Sequence, residues 1–186
     1  MEITLPPDPW QKVRTFSDLP ADEVISALQK EIRRGHTDNA ARLAYELIRT
    51  SPELEEKVWK RLMVISVEDV GMGNPQAPIL VNTLYEMHAR FSVGALDRPL
   101  FAVHAVRYLC ESEKDRSSDE MINWIKLTDE APEIPDYAVD MHTKRGAEMG
   151  RDLEHFYKEA SKILPEKHDR NTTYRERVLR KLNLDE

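Results

Sequence analysis

Apolar residues recur at helical spacing along almost the whole chain, and Pro, Gly and capping residues stand at the seams between the recurrences. Val24, Ile25, Leu28 and Ile32 form one stripe, which Asp22 can cap and Gly35 ends. Asp38 can cap a second stripe of Leu43, Ala44, Leu47 and Ile48. Ser51-Pro52-Glu53 places an N-cap, a first-turn proline and an acid ahead of Leu54, Val58, Leu62 and Ile65, a helix that stops near Gly71. Pro75 to Phe91 reads as a fourth helix with Ile79, Leu80, Leu84, Met87 and Phe91 on its apolar side. Asp97-Arg98-Pro99 opens a fifth through Leu100, Phe101, Val103, Tyr108 and Leu109, and Ser118 can cap a sixth through Met121, Ile122, Trp124 and Ile125. Pro135 starts a seventh that ends at Gly146 or Gly150. Asp152 opens an eighth through Leu153, Phe156, Tyr157, Ala160 and Ile163, and a last helix covers about 173–182. No run alternates strictly and no Asn-Gly hairpin signal occurs. The expected fold is all-α, an antiparallel bundle or stacked pairs of about eight or nine helices. Its domains are an extended arm over 1–19 with Trp10 and Phe16 as anchors, a helical domain over 20–164, and a charged helix or tail over 165–186.

Composition narrows the function classes. A single cysteine, Cys110, permits no internal disulfide and suits a reducing compartment. Prolines at 6, 7 and 9 break any leader-like apolar run, and no stretch reaches the roughly 20 apolar residues of a membrane span. The expectation is a cytoplasmic protein with no membrane partner. Residues 1–140 carry 16 Lys/Arg against 25 Asp/Glu, whereas 141–182 carry 11 against 7. The acidic body disfavours duplex nucleic acid, so the basic segment is the electrostatic candidate for DNA or an acidic partner. Lys144, Arg145 and Arg151, around His142 and Thr143, are the candidate contacts there.

Motifs for catalysis are sparse. Neither GxxxxGK[ST] nor GxGxxG occurs, and Gly71-Met72-Gly73 follows a helix, which makes it a C-cap and turn. The six histidines lack metal-ligand spacing, and His104, among Phe101, Val103, Tyr108 and Leu109, is expected to be a core histidine. Cys110 is expected to pack. No cofactor or metal is called for. Glu68-Asp69 lies near a helix C-terminus, the wrong end for acids unless a backbone turn, a Lys/Arg or a metal meets them. An alternative reading is therefore a small metal-dependent phosphohydrolase using Glu68, Asp69 and histidines.

Three stretches carry a resemblance. They are Ser26 to Lys30 with Ile32-Arg33-Arg34-Gly35 and Asp38 to Ala41; Arg61-Leu62, Ile65 and Glu68-Asp69-Val70-Gly71 through Asn74-Pro75-Gln76-Ala77; and Pro99-Leu100 with Ala105-Val106 and Tyr108-Leu109. Ile134-Pro135 with Thr143-Lys144, Glu148 and Gly150 adds a weaker fourth. Together they resemble the C-terminal helical region of the replication-associated recombination AAA+ ATPases, the RarA/MgsA group related to Werner-helicase-interacting proteins. The resemblance spans about 24–150 and implies a clamp-loader-collar-like, non-enzymatic oligomerisation module, tetrameric in the family and tied to DNA replication or repair. It implies that any motor is lost or supplied in trans. It singles out Ser26, Lys30, Arg33, Glu68, Asp69, Gly71, Pro75 and Lys114. The family's Pro-Lys-Ser-Asn is here Glu113-Lys114-Asp115-Arg116, and the chain departs from the family beyond Arg151.

Without a phosphate-cradling loop these 186 residues should not hydrolyse ATP. Phosphate release measured on the purified chain should stay at the buffer rate, and turnover above it would contradict this reading.

Overall fold

Each helix begins where the chain can satisfy its free N–H groups and buries the stripe that its neighbours can cover. The computed structural model describes residues 8–184, so the first seven residues of the expected arm and the final Asp185-Glu186 lie outside the described residues. The described chain is all-helical, and its only strand-like pairing is an isolated bridge between Arg14 and Pro20. It divides into two units, 1–129 and 130–186.

The first unit holds α1 (Ala21–Arg34), α2 (Thr37–Ile48), α3 (Pro52–Ile65), α4 (Ala77–His88), α5 (Arg98–Glu111) and α6 (Ser117–Thr128). Ser51 caps α3 as expected, its Oγ accepting from Leu54 N at 3.2 Å. Other caps differ. Pro20 precedes α1 and His36 precedes α2, leaving Asp22 and Asp38 as first-turn acids rather than caps. At α6 it is Asp115, not Ser118, that accepts from the first-turn Ser117 N–H, at 2.8 Å. Gly35 ends α1 at φ +74°, a conformation that costs a side chain about 1–2 kcal/mol.

The core is built on α1, α2, α3 and α5, with α4 against α5. Leu28, Ile32, Leu47, Leu54, Trp59, Leu62 and Leu109 are fully buried. On α4 the buried face is Ala77, Val81, Leu84 and His88; of the expected stripe Leu84 is buried and Leu80 half-buried, while Ile79, Met87 and Phe91, which lies past the end of α4, stay exposed. On α5 it is Ala102, Ala105, Val106, Leu109 and Cys110, whose small side chains let α2 and α4 approach. His104 lies off that face and is exposed, so the core histidine is His88. Cys110 packs as expected, and burial pushes its thiol pKa up.

The described part of the arm is pinned to α2. Trp10 packs on the core, and Phe16 lies under the Arg49 guanidinium at 4.2 Å. Glu46, almost fully buried, accepts from Ser17 N at 2.6 Å, Ser17 Oγ at 3.1 Å and Arg49 Nε at 2.8 Å.

The second unit holds a short 3-10 turn (Asp136–Ala138), α7 (Lys144–Glu148), α8 (Leu153–His155) continued by a π-turn (Phe156–Ala160), and α9 (Thr173–Lys181). The seventh helix expected from Pro135 is thus broken, because Thr143 caps a fresh start at Lys144 and its hydroxyl donates back to the Asp140 carbonyl. Among the described residues of this unit Val139 and Gly146 are the buried ones, a thin interior for its length.

Burial alone would raise the Glu46 carboxyl, but the Ser17 backbone N–H, the Thr15 and Ser17 hydroxyls and Arg49 outweigh it and lower its pKa to about 2. That contribution to stability is complete above the ordinary value of 4.5 and is lost as pH falls towards about 2. The thermal midpoint should therefore drop across that window, and Glu46→Gln should show a smaller drop. Identical acid profiles for the two proteins would refute the assignment.

Candidate functional site

Five of the residues singled out by the sequence, Arg33, Glu68, Asp69, Gly71 and Lys114, meet at one corner, where α3 runs into a π-helical turn, Ser66–Val70. The extra residue in that turn swings Asp69 inward, and its side chain has no exposed surface. An uncompensated carboxylate there would be prohibitive. It is met by Arg33 Nε from α1, by Arg116 Nη1 from the start of α6, and by Gln29 Nε2 at 3.0 Å. Glu68, partly exposed, accepts from the same three side chains, at 2.8 Å from Gln29, 3.3 Å from Arg33 and 3.4 Å from Arg116. Arg61 of α3 donates to Gln29 Oε1 and so orients the amide. Burial alone would lower the Arg116 pKa; its bonds to Asp69 and Glu68 raise it instead.

Backbone contacts close the same corner. The Asp115 N–H donates to the carbonyls of Asp69 and Val70, both at 3.1 Å. Gly71 has φ +51°, and a Cβ there would sit 2.3 Å from the Asp115 carbonyl oxygen. Lys114 turns its ammonium onto the carbonyls of Leu109 at 2.8 Å and Cys110 at 3.1 Å, capping α5, and burial pushes its pKa down. Asn74 Nδ2 donates to Tyr108 Oη at 2.8 Å and to Ser112 Oγ at 3.0 Å. Pro75 is an exposed turn residue before α4, and Lys30 donates to Ser26 Oγ on the surface of α1.

Glu68 and Asp69 are thus met by arginines and an amide, the second of the three partners the sequence allows. His88 serves a separate cluster, its Nε2 3.0 Å from Glu55 Oε1, with Arg98 Nε on both Glu55 oxygens at 2.9 and 3.0 Å. His104 is exposed on α5. Within the first unit these histidines do not join the carboxylate pair, and no three His, Cys, Asp or Glu side chains gather as ligands among the described residues. The two carboxylates that the hydrolase alternative would use are held by Arg33, Arg116 and Gln29.

In the second unit the basic candidates separate by role. Arg151, mostly buried, donates to the carbonyls of Asp136 and Val139 and to the Asp136 carboxylate. Thr143 caps α7 by accepting from Gly146 N at 3.0 Å. His142 Nδ1 faces Asp140 Oδ2 at 3.0 Å, which lowers the Asp140 pKa. Lys144 and Arg145 remain at the surface, Lys144 beside Glu148 at 3.8 Å. Sequence reasoning missed Arg116 as the partner of Asp69, because it lies 47 residues away and only the fold joins them. It also missed the Glu55–His88–Arg98 cluster. The signal for the first was the acid pair at the wrong helix end.

Comparison with known proteins places residues 36–180 in register with the family described as MgsA AAA+ ATPase C terminal. The chain is 31% identical over 140 residues to the replication-associated recombination protein A of Bacillus subtilis (strain 168), covering 73% of this chain and 32% of that protein. It is 30% identical over 140 residues to the protein of the same name from Haemophilus influenzae, covering 73% and 30%. It therefore spans about a third of the length of these relatives.

Asp69→Asn should cost about 3–5 kcal/mol, the usual penalty for stripping one partner from a buried ion cluster. Denaturant unfolding checks this against Lys60→Gln, which removes only the exposed pair with Glu56 and should cost less than about 1 kcal/mol. Equal losses in the two variants would mean that the Asp69 cluster does not hold the corner.

Proposed function

The chain belongs to the MgsA AAA+ ATPase C-terminal family, and from that membership we propose that it serves replication-associated recombination as a helical interaction module whose copies associate with one another. The observation that carries this reading is the family match over 36–180, reinforced by the names of the two relatives. The geometry supports it in a second way. Glu68, Asp69, Arg33, Gly71 and Lys114 are spent on joining α1, α3, α5 and α6, and they leave no converging acid, base or nucleophile at that corner. What the fold offers is surface. Exposed apolar side chains crowd α6, and others occupy the loop around Val93 and Leu96.

Light scattering across the micromolar range should give a mass above the 21.6 kDa of one chain. A single-chain mass at every concentration would overturn the self-association. The recombination role is checked separately in the source cells. Loss of the protein should impair recovery from replication-blocking damage, and unimpaired recovery would remove that part of the reading.

A further inference from the structure

A half-buried cation is normally matched by an acid, and Arg61 of α3 is not. It donates through Nη2 to Gln29 Oε1, a neutral amide, and its Nε is buried with no acceptor. Among the described residues it pairs with no carboxylate. Lys57 lies one turn earlier on the same face of α3, half-buried and also without an acid partner among the described residues. Like charges at this spacing repel, whereas the neighbouring Glu56 and Lys60, equally spaced, pair at 3.4 Å. α1 packs against α3 and brings Ser26, Lys30 and Arg33 from successive turns of one face. Lys30 donates to Ser26 Oγ and to no acid, while Arg33 commits Nε to Asp69 and Nη2 to Glu68 and leaves Nη1 without an acceptor. Ser26 and Lys30 were singled out by the sequence, yet neither bonds to the Asp69 corner.

All five side chains line one cleft of about 380 Å³. Its carboxylates are Glu68, Asp8 and Asp22. Glu68 is taken up by Gln29, Arg33 and Arg116, Asp8 accepts from Trp10 N at 3.0 Å, and Asp22 is a first-turn acid of α1. None of the three pairs with Lys30, Lys57 or Arg61. We propose that this cleft binds a phosphomonoester dianion carried by a small molecule, Arg61 and Arg33 donating through Nη1 and Lys57 and Lys30 through their ammonium groups. The donor set selects the class. Planar guanidinium groups match phosphoryl oxygens, the lysines add point charge, and a dianion answers more of the unpaired cation than a carboxylate does. An extended polyanion is disfavoured, because Asp8 and Asp22 share the cleft and residues 1–140 carry 25 acids against 16 bases. Binding also relieves the repulsion between Lys57 and Arg61. The site lies within one chain and does not depend on self-association.

The test uses the full chain at constant ionic strength, with inorganic phosphate and phenyl phosphate as probes and phosphorus NMR line broadening as the readout of binding. Lys30→Gln and Lys57→Gln touch neither the core nor the Asp69 corner, so circular dichroism should match the wild type. Each should weaken binding by roughly twofold to fivefold, and the double variant by about tenfold. Lys60→Gln, which removes a cation of α3 already paired with Glu56, should leave binding unchanged. Arg61→Lys keeps the charge but loses the fork, and should also bind more weakly. No broadening with the wild type, or equal broadening with the wild type and the Lys30/Lys57 double variant, would overturn the site. Equal weakening by Lys60→Gln would reduce it to general surface charge. Tighter binding of an oligonucleotide with 5′-hydroxyl ends, which offers phosphodiesters only, would overturn the choice of a phosphomonoester.

Discussion

A carboxylate buried without solvent, as Asp69 is, costs several kcal/mol unless charge and hydrogen bonds replace the water it has lost. Here the replacement comes from three places in the sequence: Arg33 and Gln29 on α1, and Arg116 at the entry to α6. Those partners can reach one point only if α1, the end of α3 and the loop after α5 lie at fixed positions. The π-helical turn exists to aim Asp69 at that point, and the glycines that follow let the 113–115 backbone approach within contact distance. The departure direction of α6 is set by the same guanidinium that neutralises Asp69, because Arg116 also holds Asp119. The exposed apolar side chains of α6 therefore take their direction from a buried charge beside its first turn.

The same device recurs elsewhere in the first unit. Glu55 is buried under Arg98 and His88 where α3, α4 and α5 meet, and Glu46 is buried under Arg49 and Ser17 where the arm crosses α2. Each joins segments that apolar packing alone would leave free to slide, since a stripe of Leu and Ala is tolerant of register whereas a carboxylate with a planar guanidinium is not. Polar joints of this kind add little net stability, and their removal is costly because the surviving partner is stranded. The second unit is made differently. Arg151 ties together backbone carbonyls and Asp136, and Thr143 and Asp152 act as caps around a small interior.

The periodicity of apolar residues and the absence of alternation were sufficient to read an all-helical chain, because helix formation is decided within a few residues. Ser51 as a cap, Gly35 as a stop and the turn at Gly71 are legible for the same reason. The family resemblance, carried by local runs such as Glu68-Asp69-Val70-Gly71, was legible too, and the family match agrees with it, but that match runs on to 180, past the Arg151 beyond which the sequence alone read a departure. Which face is inside was legible on α1 and α3, whose expected stripes are buried, and was not on α4 and α5. On α4 and α5 the alanines and His88 took the core positions from larger apolar side chains, since what counts there is the distance to the neighbouring helix. His104 reads as a core residue by its neighbours in sequence and is exposed by its angle on the helix.

The roles of charged residues divide along the same line. The sequence alone determined that Glu68 and Asp69 needed a partner, a backbone turn, a Lys/Arg or a metal, because acids at a helix C-terminus oppose its dipole whatever the surroundings. Only the tertiary structure decided that Arg116, distant in the chain, would supply it together with Arg33, and that Arg151 would be spent inside its own unit while Lys144 and Arg145 stay at the surface. A helical stripe is a property of residues three and four apart. The pairing of a buried charge is a property of chain segments brought together by folding, and local spacing holds no record of it.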